Sequence, residues 1–562
     1  KIMNYFRNIF FSVFVMKYLF NAFENHVSFN EIVNFIIITV TVMTATFIIG
    51  AMYSTLYQPV SNQKISRYIN MILFKKVSQV ELACFENTEF FNKYTKAANE
   101  TNNRAMSILD NITNFTAAII SCVVVMVTLL TIDGIAILWG LLPFGAYYVI
   151  NKTSAKRRYA LYEANIMPNR SMGYASRAAY LKDFAKELRL FDIKKVLLKR
   201  YEESADKVCE NHDNHGYRIA NIKMFSDLAG TFFTVGSLIF ASARVLIFRA
   251  VSVGNFIVLV NALREFSGLF GGFSGQFTAV IEHSMYSENL IEFLNYQPEI
   301  DEAQKGKIPD IESACISFKN VSFKYPNHEN YVINDFTIDI SPNEKVAFVG
   351  HNGAGKTTII KLLLRLYDPT EGEILLNGIN IKEYDLKEYR KLFATVFQDY
   401  RIFSVSVYDN VAMCNGEMSR EEVVDALKRS GIYDKVRELP NGIDTILTRE
   451  FDDEGAILSG GEIQKIAIAR MLVRKNPFAI LDEPTSALDP VAEYQMYENM
   501  VEAAKDKTVV FISHRLSSAV LADKIYMLEH GVICESGTHD ELMKKDGKYA
   551  QMFKMQSEKY ND

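Results

Sequence analysis

Apolar residues crowd the first half of the chain in long uninterrupted runs, whereas the second half alternates short apolar runs with polar ones. The run from Ile32 to Tyr57 carries no charged residue and exceeds the roughly 20 residues that a helix needs to cross a bilayer. Two more spans, about Ile112 to Ile132 and Gly134 to Ile150, are joined by little more than Asp133, which predicts a helical hairpin with a very short turn. A further pair covers about Asp227 to Phe248 and Gly254 to Ile281. The first apolar segment, Tyr5 to Phe20, is short and broken by Arg7 and Lys17; the chain begins at Lys1, so this segment reads as a span whose start is missing, the sixth in all. Between the spans lie two long polar stretches of helical periodicity, Gln58 to Asp110 and Asn151 to Lys223. They read as helices that leave the membrane, turn near Phe85 to Tyr94 and Tyr174 to Phe184, and return.

Charge orients this arrangement. Lys and Arg crowd the polar stretches and are absent from Asn21 to Glu31 and from the Asp133 turn, so the stretches are cytoplasmic by the positive-inside rule. Arg244 and Arg249, near the outer end of the fifth span, are exceptions. The chain has 562 residues, enough for two or more large units, and its net charge of -5 gives no case for nucleic acid. Its six cysteines form no CxxC pair, which speaks against a disulfide framework or a zinc ribbon. Cys209, His212 and His215 recur at intervals of three, but no fourth ligand accompanies them, so they read as a solvated helix face.

One polar feature of the last span stands out. Arg264 and Glu265 lie about ten residues into it, ~15 Å deep at 1.5 Å per residue. Ionisable residues at that depth are costly and face a bundle interior or a wet cavity. Asn261, Arg264 and Glu265 are therefore expected to line a transport pathway, the alternative being a structural pair between helices. Gly268, Gly271, Gly272 and Gly275 just beyond allow close packing or bending.

The pattern changes after a linker at residues 295–312, so that residues 1–294 form the membrane domain and residues 313–562 an α/β domain. Val346 to Val349 reads as a buried strand, followed by Gly350, His351, Asn352, Gly353, Ala354, Gly355, Lys356 and Thr357, which fit GxxxxGK[ST]. Glycines let backbone N–H groups wrap phosphate oxygens, the next helix turns its positive end toward them, Lys356 adds a point charge, and the Thr357 hydroxyl can ligate magnesium. Downstream, the strand Phe478 to Leu481 ends in Asp482, suited to hold magnesium, and Glu483, placed to take a proton from attacking water. A phosphate loop with such a strand indicates nucleotide hydrolysis.

With these residues in place, the chain resembles the ATP-binding cassette (ABC) exporters in which six membrane helices precede one nucleotide-binding domain. The resemblance covers essentially the whole chain and rests on motif order: Gly350 to Thr357, Gln398 in VFQD, Leu458 to Gly461 in LSGGE, Asp482 and Glu483, Ser486 to Asp489, and His514 in ISHR. It implies a membrane α-helical domain followed by an α/β P-loop nucleotide-binding domain that hydrolyses ATP with Mg2+. It further implies that Tyr325, in VSFKYP, stacks on adenine, that Thr358 joins the phosphate loop, and that Gln398 helps ligate magnesium. His514 would contact the γ-phosphate, with Glu483 and Lys356 catalytic. Ser459, Gly460 and Gly461 would bind the ATP held by the P-loop of a second subunit, making the partner a second half-transporter in a homodimer or heterodimer.

The same resemblance implies export of an amphipathic, lipid-like, drug-like or peptide substrate across a bacterial plasma membrane, with the nucleotide-binding domain cytoplasmic. The cassette departs from the usual pattern at Glu462 and at the acid-rich run Arg449 to Gly455, which looks like cassettes of peptide or lantibiotic exporters. An ATP-gated sensor or channel would carry the same motifs, and a soluble ATPase of this family is disfavoured by the spans.

Overall fold

The structure, a computed structural model, describes residue 7 and residues 10–303, 305–310, 314–326, 328–413, 418–483, 498, 506–513 and 516–558. The chain divides into two compact units: Lys1–Lys76 with Glu89–Tyr296, and Val77–Thr88 with Gln297–Asp562.

The first unit is helical. A short helix α1 (Met16–Glu24) precedes α2 (Phe29–Met52), which continues through Tyr53–Tyr57 into α3 (Gln58–Val77). After α4 (Leu82–Glu86) come α5 (Thr88–Ile132), α6 (Ile135–Leu141), α7 (Pro143–Tyr180), α8 (Ile193–Leu246) and α9 (Val253–Asn295). Among the described residues five helical stretches are long and apolar enough to cross a membrane: Phe29–Val77, Met106–Ile132, Ile135–Tyr180, Ile193–Leu246 and Asn255–Phe277. The expected first span begins at Tyr5, outside the described residues; the described part of it is helical to Glu24. Both polar stretches are indeed helical extensions of the spans. A buried contact fixes one pair of extensions, where the Asn211 amide on α8 donates to Asn165 Oδ1 on α7 at 2.9 Å.

The turns sit elsewhere than their sequence suggests. The first occupies residues 78–87 around α4, because Phe90 and Tyr94 are packing residues of α5: both rings meet Phe293, at 5.7 and 5.6 Å. Aromatic density marked a helix contact there. The second turn begins only at Leu181, whose extended backbone (ψ 136) stops α7, and it runs to α8.

A core of Ala118, Val125, Leu129, Ala136, Ala241 and the α9 face Val258, Leu259, Ala262, Leu263 and Phe266 packs the end of this bundle that holds the α5–α6 turn. Here Arg244, the exception to the charge rule, finds a partner. Arg244 Nε and Nη2 donate to the two oxygens of Asp133, at 2.5 and 2.9 Å, and both side chains are largely buried. A fork-to-fork pair of this kind is the strong form of the ion pair and offsets the Arg244 charge. It also ties the α5–α6 hairpin turn to the end of α8.

The second unit is built on a six-stranded sheet in the order β10-β9-β3-β8-β7-β6, with β3 (Lys345–Gly350), β6 (Phe393–Val396), β7 (Phe478–Asp482), β8 (Thr508–Ile512) and β9 (Lys524–Glu529) parallel and β10 (Val532–Gly537) antiparallel. Its central strands read as continuous apolar runs because both faces are covered: Val346, Phe348, Phe478 and Ile480 enter one core, Ala347, Val349, Ala479 and Leu481 the other. An antiparallel sheet in the order β2-β1-β4-β5, from β1 (Ile316–Phe323), β2 (Ile333–Ile340), β4 (Glu371–Leu376) and β5 (Ile379–Asn380), covers the first core. The stretch expected to be a linker is held to this unit: Lys307 pairs with Tyr384 as an isolated bridge, and Glu302 accepts from Arg390 at 2.6 Å.

Candidate functional site

The phosphate loop leaves the carboxyl end of β3 and enters helix α10 (Lys356–Leu363). Backbone geometry explains its glycines. Gly350 (φ +145) lies so close to Leu528 O that a Cβ would sit 2.2 Å from it, and Gly355 (φ +99) would drive one into Ile333. Lys356 is buried, and its ammonium donates to Gly350 O and His351 O at 2.9 and 3.1 Å. Burial pushes its pKa down, opposed by the nearby Glu483 and Asp482 charges. His351, Asn352 and Gly353 are exposed, Thr358 is buried, and Ala354 packs into the core.

At the end of β7, one strand beyond β8, Asp482 faces the loop: Thr357 Oγ1 donates to Asp482 Oδ1 at 3.4 Å. Asp482 is 1 % exposed, and burial, reinforced by the Glu483 charge, pushes its carboxyl up to about 6. Glu483 follows in a left-handed conformation (φ 45) rarely taken by a residue with a side chain, and its carboxylate accepts from Gln398 Nε2 at 3.1 Å. The fold thus brings Gln398, 85 positions away, to the Glu483 carboxylate. This donor set fits a magnesium ion: a threonine hydroxyl, a buried carboxylate and the glutamine side chain are hard ligands, and two adjacent carboxylates leave negative charge for a cation to offset.

Tyr325 is half-buried, its hydroxyl 3.1 Å from Thr358 Oγ1 and its ring edge-on to Tyr367 at 5.3 Å. Ser459 caps helix α11 (Gly460–Leu472) and is exposed with Gly460 and Gly461. The unusual Glu462 has a local explanation: its carboxylate accepts from Ser459 N at 2.7 Å while its own N–H donates to Ser459 Oγ, a closed capping box. In the acidic run, Arg449 Nε closes the loop on Gly455 O at 2.9 Å. His514 and Ser486 to Asp489 lie outside the described residues.

In the membrane unit, Arg264 lines an open cavity of about 500 Å3. Asn261 and Glu265, expected beside it, are half-buried and do not line that cavity. Of the four glycines beyond, Gly271 lies against Tyr147, whose ring a Cβ at that position would meet at 3.7 Å, and Gly268 lines the cavity itself.

Sequence reasoning missed one cluster of the second unit. Glu86, at the end of α4, accepts from the Tyr367 hydroxyl at 2.7 Å and lies 3.7 Å from Lys361, whose ammonium stands over the Tyr325 and Tyr367 rings at 5.2 and 5.7 Å. Burial, then the Glu86 contact, raises the Tyr367 pKa. No local signal joins residue 86 to residue 367; only an acidic residue ending the first polar turn hinted at a partner.

The sequence profile described as ABC transporter matches residues 333–486. The subtilin transport ATP-binding protein SpaT of Bacillus subtilis is 31% identical over 507 residues, covering 86% of this chain and 79% of its own length. The ATP-dependent lipid A-core flippase of Haemophilus influenzae is 33% identical over 360 residues, 63% of this chain and 60% of that protein. A solved bacterial Atm1-family ABC exporter with ATP bound superposes with a TM-score of 0.85 at 23% identity, over 97% of this chain and 94% of that one.

Proposed function

The chain belongs to the ABC exporters, and from that premise we propose that it carries an amphipathic substrate across the plasma membrane by alternating access, as a dimer that encloses ATP between two nucleotide-binding units. It is a multi-pass membrane protein and an ATPase coupled to transport, in which ATP drives export. Relatives named for subtilin transport and for lipid A-core flipping support an amphipathic cargo, and the basic helical extensions support a cytoplasmic ATPase.

The reading rests on one observation above all: Thr357, Asp482, Glu483 and Gln398 converge at the carboxyl ends of β3 and β7 beside Lys356. In this proposal the loop N–H groups and Lys356 hold the ATP phosphates, and Tyr325 stacks on adenine. Thr357, Gln398 and Asp482 hold Mg2+, which offsets phosphate charge when bound. Water attacks the γ-phosphorus as Glu483 takes its proton and ADP leaves; Gln398 fixes the Glu483 carboxylate, and His514 contacts the γ-phosphate. The exposed Ser459, Gly460 and Gly461 meet the ATP of the partner chain, homologous or identical. Closure around ATP reaches the helices through the turns at residues 78–87 and 181–192, because ATP favours the closed state.

Glu483→Gln tests the chemistry. It should keep ATP binding, lose at least ~10²-fold in turnover, and accumulate the closed dimer. Turnover equal to the unsubstituted protein would remove Glu483 from the mechanism. ATP-dependent accumulation of an amphipathic peptide in inside-out vesicles tests export, and its absence with intact ATPase favours an ATP-gated sensor or channel.

A further inference from the structure

The cavity at Arg264 is polar in a way that an apolar cargo does not require. Three helices of the membrane unit build it. Ser226, Asp227, Gly230, Thr231 and Thr234 recur along one face of α8, Arg264, Ser267 and Gly268 along one face of α9, and Tyr147 enters from α7. The opposite face of α9, from Val258 to Phe266, is the one packed into the apolar core. Tyr147 is wedged in place by glycines: its hydroxyl would lie 3.0 Å from a Cβ at Gly230.

Within this space stand one cation and one anion, both exposed. Among the described residues neither side chain is ion-paired or hydrogen-bonded to another. They are also staggered along the helices. Arg264 lies ~16 Å from the start of α9 and Asp227 ~28 Å from the end of α8, at 1.5 Å per residue. The offset of ~12 Å between their backbones, shortened by the long arginine side chain, leaves room for a ligand with separated charges. The threonine hydroxyls spend their protons on their own helix, Thr231 on Asp227 O and Thr234 on Gly230 O, both at 2.9 Å, which leaves their oxygens as acceptors.

We infer that the cavity binds a dipolar group of a peptide-like amphiphile, with a carboxylate against Arg264 and an amine against Asp227, its ammonium also received by the threonine oxygens. This deepens the export reading and rests on it for the direction of movement. An unpaired arginine about midway along a span is costly, an unpaired carboxylate at the end of one less so, and a ligand bearing only one charge leaves the other unmatched. A purely apolar cargo leaves both.

The test uses three probes that share a tail and a backbone: Nα-decanoyl-lysine carries both charges, Nα-decanoyl-norleucine the carboxylate alone, and Nα-decanoyl-lysine amide the ammonium alone. Binding is read without ATP in neutral-lipid nanodiscs through the single tryptophan, Trp139, whose indole donates to Ser237 one turn from the cavity. Decanoyl-lysine should bind roughly tenfold tighter than either relative. Asp227→Asn should erase its advantage over decanoyl-norleucine, Arg264→Gln its advantage over the amide, and Arg264→Lys should retain most of it. Each preference is a ratio within one protein, so a partly misfolded preparation does not mimic the result. Equal affinities in the unsubstituted protein, or preferences that survive both neutral substitutions, overturn the inference. Vesicle uptake of decanoyl-lysine is measured separately: no ATP-driven accumulation beside an intact binding preference defeats the export reading and leaves the cavity assignment standing.

Discussion

The buried Asp482 carboxylate is held at a cost to folding. Its folded-state pKa, about 6, lies above its ordinary value of 3.8, so the folded chain binds more protons than the unfolded one between those values. Stability therefore falls as pH rises through that window, by on the order of 2–3 kcal/mol, and the loss is complete above about pH 6. Asp482→Asn should abolish ATPase activity yet raise the thermal midpoint of the nucleotide-free protein by several degrees at pH 7.5, with about half that gain at pH 5. A gain independent of pH would show that the carboxylate is not the strained group. Glu462 poses a related question at the cap of α11, where contact with Ser459 N holds its carboxyl below the usual range and hence ionised at neutral pH. An anion at that helix start competes with phosphate, so Glu462→Gln should lower the ATP concentration for half-maximal hydrolysis about two- to fivefold. No change in that concentration would show the carboxylate to be a cap and nothing more.

Among the elements, the bond between the α5–α6 turn and the end of α8 is the most exposed to test. Removing one partner leaves the other charge buried, so Asp133→Asn and Arg244→Gln should each destabilise by about 3 kcal/mol, and the double variant should recover part of the loss. Additive losses in thermal unfolding would mean that the two side chains act separately. This pair also shows what the sequence could convey. The spans were legible because length and hydropathy are local properties, and so were the phosphate loop and β7, whose glycines and carboxylates sit within a few positions of one another. The exception at Arg244 was visible as an exception, but its partner lies 111 positions away. Phe90 and Tyr94 misplaced the first turn because aromatic residues serve turns and helix contacts alike, and only the presence of Phe293 decides between them. The elevated Asp482 carboxyl was likewise hidden, since its burial comes from strands and loops assembled by the whole unit.

At the scale of the molecule, the proposal divides each ATP site between two chains, and that division can be read by complementation. Lys356→Ala disables a P-loop and Gly460→Glu the opposing helix start, so homodimers of either variant have no intact site. A mixed dimer has one, and an equal mixture of the two chains should recover roughly a quarter of the unsubstituted ATPase activity, the statistical share for a symmetric pair. No recovery would place both motifs of one chain on that chain's own ATP. The position of α4 has a practical consequence of another kind. Residues 77–88 belong to the compact unit that otherwise begins at Gln297, where Leu82 and Ala83 pack on its core and Glu86 engages Tyr367 and Lys361. A cassette expressed from residue 297 onward would therefore lack a piece of its own surface, and a twelve-residue synthetic peptide spanning 77–88 should dock there in trans, raising its melting temperature and suppressing its aggregation.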